Sequence, residues 1–129
     1  MVSGARYLYL ALIVAYLAAI LAQVFVAGAA MFGPDRSFET HRLLGYLLHL
    51  APILLLIVAF VARVGSTTLW WTAALVAVQA VQPLLPMLRV DYPWAAALHP
   101  VLALVIFWLA ATIGLRTWQL VRPPAAASA

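Results

Sequence analysis

The sequence predicts an all-α integral membrane protein, a four-helix bundle of up-down-up-down topology. Three observations carry that prediction. Four long runs contain no Lys, Arg, Asp or Glu, namely Tyr7–Met31, Leu43–Ala62, Leu69–Leu88 and Tyr92–Leu115. Each can cross a hydrocarbon core about 30 Å thick, which takes roughly 20 helical residues. The chain is 68% hydrophobic and 8% charged, with a mean hydropathy of +1.12, values that exclude an ordinary soluble domain. The connections between runs are short, and short connections make consecutive helices antiparallel neighbours.

The first run has a signal-like flank in Arg6, and Ala27-Gly28-Ala29-Ala30 loosely resembles a cleavage site. Its apolar stretch from Tyr7 to Val26 nevertheless exceeds the roughly 7–15 residues of a signal core, so it reads as an uncleaved span. Gly33-Pro34-Asp35-Arg36-Ser37 ends it, and Ser37 or Thr40 can cap the second helix. Gly65-Ser66-Thr67-Thr68 reads as a tight turn, after which Trp70 and Trp71 open the third span at interfacial depth. Arg89-Val90-Asp91-Tyr92-Pro93-Trp94 closes the third helix and starts the fourth, with Pro93 suited to a first helical position. Residues 1–122 form one domain on this reading, and 123–129 a disordered tail. No internal repeat is visible, although the second and fourth runs each carry a histidine near the start.

Small residues at Ala11, Ala15, Ala19 and Ala22, and at Ala103, Ala110 and Gly114, are expected to let helices pack closely, since lipid gives no hydrophobic drive for association. Pro52, Pro83, Pro86 and Pro100 each withdraw a donor from the carbonyl four residues earlier, on Leu48, Gln79, Gln82 and Ala96. With no cysteine in the chain, disulfides, thiolate metal sites and iron–sulfur clusters are excluded. The net charge of +4 comes from arginines spread over both membrane faces, which marks topology rather than a nucleic-acid partner. The side holding the termini has Arg6, Arg63, Arg116 and Arg122 and no acid. The other has Arg36, Arg42 and Arg89 with all three acids, Asp35, Glu39 and Asp91. Four basic residues against three place both termini in the cytoplasm.

The histidines are the candidate site. A polar ring inside a span is costly and usually faces a partner, a cavity or a cofactor. With helices starting near Phe38 and Pro93, His41 lies about 5 Å and His99 about 9 Å down their axes. Both helices run inward from the same side and are diagonal in a square bundle, so the rings reach matched depths across the central space. Two such imidazoles suit a flat macrocycle ligated from both faces, a haem b. Gly45, one turn below His41, leaves room for a porphyrin edge, and Arg36, Arg42 and Arg89 lie where propionates need cationic partners. His49 has no deep partner on the fourth span and is expected to bond between helices, to Gln23, Gln79 or Gln82. Two other readings stay open for His41 and His99: a simple metal ion held with Glu39, and rings that merely reach headgroups or the loop acids Glu39 and Asp91.

The segments Phe38-Glu39-Thr40-His41-Arg42-Leu43-Leu44-Gly45-Tyr46, Gln82-Pro83-Leu84 and Ala97-Leu98-His99-Pro100-Val101-Leu102-Ala103-Leu104 resemble a family of small bacterial four-span membrane proteins of unknown function. His-Arg-x-x-Gly and Leu-His-Pro-Val are the most specific signatures. The family pattern has Asn after His-Pro-Val, where this chain has Leu102. The resemblance implies a four-helix fold, a special status for His41 and His99, and a place in the bacterial inner (cytoplasmic) membrane. The His-Arg-x-x-Gly helix start is also similar to helices of haem A synthase and cytochrome b561-type proteins, whose histidines bind haem. That likeness raises haem above other cofactors.

Two functions follow as alternatives. One is a b-type haem protein that moves electrons near the outer face, with a quinone or a redox protein as partner. The other is a structural or accessory subunit that joins other membrane subunits in a larger complex. Ion transport is disfavoured because no Asp, Glu or Lys lies deep in a span, and no serine sits in a nucleophile motif.

Overall fold

The computed structural model describes residues 2–122; the tail read as disordered, 123–129, lies outside them. Four helices, Val2–Phe32, Glu39–Ala62, Ser66–Met87 and Pro93–Val121, are long and apolar enough to cross a membrane, and no strand occurs among the described residues. The chain is a multi-pass four-helix bundle. The first, second and fourth helices extend past their charge-free stretches, taking in Arg6, Arg42 and Arg116, because an arginine near a span end can reach the interface along its own aliphatic stem.

The first helix packs against the second and fourth, and the third also packs against the second and fourth. The diagonal pairs are therefore first with third and second with fourth. Tyr9, Ile13, Tyr16 and Ile20 supply the first helix's share of the core, meeting Leu55 and Ala59 of the second, Leu75 of the third, and Ile106 and Ile113 of the fourth. The two small-residue stripes diverge. Gly114 is buried where an added Cβ would lie 3.6 Å from Ile13, so it does set a close approach. Ala11, Ala15 and Ala22 instead face away from the bundle, because the tyrosines and isoleucines take the inward face.

Ser66, Thr67 and Thr68 are the first turn of the third helix and not a loop. The reversal is confined to Arg63, Val64 and Gly65. Arg63 ends the second helix in the left-handed region at φ 49°, the Val64 N–H bonds back to the Ala59 carbonyl at 3.4 Å, and Gly65 at φ 87° adopts a conformation that a side chain would strain. Arg6 then caps the second helix from the first, donating to the carbonyls of Ala62 at 3.2 Å and Arg63 at 3.3 Å. A cation at a helix C-terminus offsets the dipole there.

Proline interrupts the spans as the sequence implies. Pro52 divides the second into Glu39–Leu48 and Ala51–Ala62, and the N–H groups of His49 and Leu50 shift to the carbonyls of Tyr46 and Leu47, three residues back. Pro83 divides the third into Ser66–Val81 and Leu84–Met87. The fourth consists of Pro93–Ala96 and Leu98–Val121, with Pro100 in a first turn where its missing N–H costs nothing.

Candidate functional site

His41 and His99 come from the diagonal pair of helices and meet, with ring centres 6.1 Å apart and ring planes at 76°. Each is half-buried. Each is also held by a glutamine of the preceding helix through two reciprocal bonds. The Gln23 side-chain amide donates to the His41 backbone carbonyl at 2.6 Å, and His41 Nδ1 lies 3.2 Å from the Gln23 backbone carbonyl. The Gln82 amide donates to the His99 carbonyl at 3.0 Å, and His99 Nδ1 lies 3.0 Å from the Gln82 carbonyl. A carbonyl only accepts, so Nδ1 carries the proton in both rings and Nε2 keeps its lone pair. Neither Nε2 has a hydrogen bond among the described residues.

All four helices thus meet at one level, Gln, His, Gln, His around the bundle. The two hairpins repeat one device that no sequence repeat announced, with the partners 18 and 17 residues apart. The second copy is aided by Pro86, which leaves the Gln82 carbonyl without its helical donor. In the first copy Gly45 makes room: a Cβ there would stand 3.0 Å from Gln23 Nε2. Gly45 clears space as the sequence suggested, but the glutamine amide fills it. The other amide oxygens, Gln23 Oε1 and Gln82 Oε1, are buried without a partner.

Below this level a polar ladder crosses the other diagonal. Tyr16 donates to Gln79 Oε1 at 2.7 Å, and the Tyr9 hydroxyl donates to Thr72 Oγ1 at 2.5 Å. Thr72 in turn donates to the Thr68 carbonyl at 2.8 Å. Tyr9, Tyr16 and Gln23 recur every seven residues, about 10.5 Å along one face. That spacing was the signal in the sequence for Gln23; for Gln82 it was the carbonyl freed by Pro86.

Several expected partners are placed elsewhere. His49 bonds within its own helix, Nδ1 to the Gly45 carbonyl at 2.6 Å, and not to Gln23, Gln79 or Gln82. The Pro52 break moves the His49 N–H to Tyr46 and leaves Gly45 for the side chain to satisfy; His49 Nε2 is buried and unpartnered. No group of three His, Cys, Asp or Glu residues forms a metal site among the described residues, so Glu39 does not join the two histidines. Arg36, Arg42 and Arg89 are exposed at the histidine end, and Arg89 donates to the Pro86 carbonyl at 3.4 Å. Phe38 meets His41 edge-on, with ring centres 6.1 Å apart.

No curated protein and no solved structure matches the chain. A family pattern does match, over residues 23–88, which takes in Gln23, His41, Gly45 and Gln82 and stops short of His99. Since that is just over half of its length, the chain belongs to DUF6220, a family of unknown function.

Proposed function

We propose that this protein is a b-type haem protein of membrane electron transfer, with His41 and His99 as the two axial ligands of one haem. The observation that carries the reading is the pair of imidazoles 6.1 Å apart with both Nδ1 atoms committed to backbone carbonyls. An imidazole nitrogen binds a metal at about 2 Å with its ring centre a little over ~1 Å behind, so two rings on opposite sides of one ion lie about 6 Å apart. A ligating histidine ordinarily gives its other N–H to a carbonyl or carboxylate, and both rings here do so.

Charge separates haem from a bare ion. The surrounding groups are neutral imidazoles, amides and hydroxyls, and a divalent cation among them would leave its full charge in a bundle surrounded by lipid, at large cost. A porphyrin carries its own compensating charge, and Arg36, Arg42 and Arg89 at the same end suit its propionates. The haem supplies one-electron chemistry when bound. Two imidazole ligands leave no open position, favouring electron transfer over oxygen chemistry. The partner is a quinone in the bilayer or a redox protein at the surface. The protein lies in a bacterial cytoplasmic membrane with both termini in the cytoplasm, a reading supported by four arginines at that end against three at the other.

The test is an absorption spectrum, oxidised and then reduced, of protein expressed with ample haem. A low-spin b-type spectrum lost in His41→Ala and His99→Ala is expected. Colourless protein, or a spectrum that survives removal of both histidines, overturns the proposal; colourless protein leaves the accessory-subunit function in its place.

A further inference from the structure

We propose that Gln23 and Gln82 are positioning residues, which fix the tautomer and ring plane of the two ligand histidines from the backbone of the neighbouring helix. The ligand role of the histidines rests on the haem reading above; the clasp itself does not.

Each clasp holds its histidine at two points. The glutamine side chain grips the main chain, at 2.6 Å for His41 and 3.0 Å for His99. The ring reaches back to the glutamine's own carbonyl, at 3.2 Å and 3.0 Å. A main-chain anchor together with a ring anchor leaves the side-chain torsions little freedom, and the ring anchor admits only the Nδ1–H tautomer.

The unpartnered oxygens argue against a merely stabilising role. A buried amide selected for stability satisfies both of its ends, since an orphaned acceptor is penalised. Here Gln23 Oε1 and Gln82 Oε1 are both orphaned, so in both hairpins the amide is turned by what its N–H must hold. The accommodations around the clasps have the same sense: Gly45 has no Cβ where the Gln23 amide lies, and Pro86 leaves the Gln82 carbonyl free for His99. The product is a pair of rings crossed at 76°. Crossed axial imidazoles give ferric haem a single strongly anisotropic electron paramagnetic resonance signal, whereas parallel rings give a rhombic one.

The test uses Gln23→Met and Gln82→Met, close in size but lacking the donor, and Gln23→Glu and Gln82→Glu, which when protonated keep length and one donor. In haem-free protein, nitrogen resonances of labelled histidine should report Nδ1–H for His41 and His99. Each Met variant keeps the glutamine position's backbone carbonyl but frees the histidine main chain that the amide held, so the ring should leave that carbonyl part of the time. Gln82→Met should mix the tautomers of His99 alone, Gln23→Met those of His41 alone, and the Glu variants should restore them in part. In haem-loaded protein the Met variants should keep both ligands, lose haem affinity ten- to hundredfold, as for other groups that orient metal ligands, and shift the largest g value. If a Met variant does not fold, Asn at that position, too short to reach the carbonyl, carries the same expectation. Tautomers and g values unchanged in the variants overturn the proposal. A wild type that binds no haem fails the haem reading alone, and the tautomer measurement then decides the clasp.

Discussion

His99 donates its Nδ1 proton to the backbone carbonyl of Gln82 over 3.0 Å, and Pro86 is the residue whose missing N–H leaves that carbonyl open. The equivalent carbonyl of Gln23 lies inside the unbroken helix Val2–Phe32, and His41 approaches it only to 3.2 Å. Proline in one hairpin thus gives the ring first claim on an acceptor that the other hairpin must share.

Pro86→Ala supplies a competing N–H and should make the His99 bond resemble the His41 bond. The expected result is a small loss of haem affinity, a few-fold, with a gain in helix stability. Haem titration beside a thermal melt measures both, and unchanged affinity would show that the freed carbonyl does not matter to His99.

On the proposed haem function, replacing either histidine tests its own share of the site. His41→Ala and His99→Ala should each abolish or greatly weaken haem retention, read as the haem-to-protein ratio after purification. His99→Met should retain some haem at a higher reduction potential, because methionine favours the ferrous form. Equal haem content in all three variants and the wild type would remove both residues from the site.

At Gly45 two effects oppose each other. Alanine gains about 0.5–1 kcal/mol over glycine inside a helix, but its Cβ would stand 3.0 Å from Gln23 Nε2 and strain an interhelical bond worth about 0.6–2 kcal/mol. Gly45→Ala should therefore be neutral to mildly destabilising in the wild type and stabilising once Gln23→Ala has emptied the space. A double-mutant cycle in detergent measures the coupling; additive effects would mean that the two residues do not compete.

The deep histidine has a different part. His49→Phe should leave haem bound and cost about 1 kcal/mol, the worth of one hydrogen bond, because the Gly45 carbonyl loses its donor. With Pro52→Ala the helix can run through the break and return the His49 backbone N–H to that carbonyl, so His49→Phe should become nearly harmless. Haem loss in His49→Phe, or an equal cost in both backgrounds, would contradict this account.

Topology can be read from single cysteines at Ser37 and Ser66, both exposed and at opposite ends of the second span. An impermeant thiol reagent applied to whole cells should label position 37 and spare position 66. The reverse pattern would invert the orientation.

The spans and their diagonal arrangement were legible because charge-free length and short connections leave few choices. The meeting of His41 and His99 was legible for the same reason: equal direction and similar distance from the helix start imply equal depth. The clasps were not. A glutamine in an apolar run has no fixed partner until helix rotation is known, and rotation follows from which face takes Tyr9, Ile13 and Tyr16. His49 was misassigned because an interhelical bond and a bond to the carbonyl four residues back are equally open to a histidine, and only the shift of N–H groups at Pro52 decides. Ser66–Thr68 were misread as a turn because residues that suit turns also suit first helical turns.

The division of the site among four helices has a consequence for biogenesis. Each helix brings a single uncharged polar side chain into the bundle at the shared level, so no helix has to turn an ion toward the interior there. The four segments can enter the bilayer as ordinary apolar helices, and the ring of amides and imidazoles comes into being only when they associate. Any charge the site is to hold arrives afterwards, into a shell that has already folded around it.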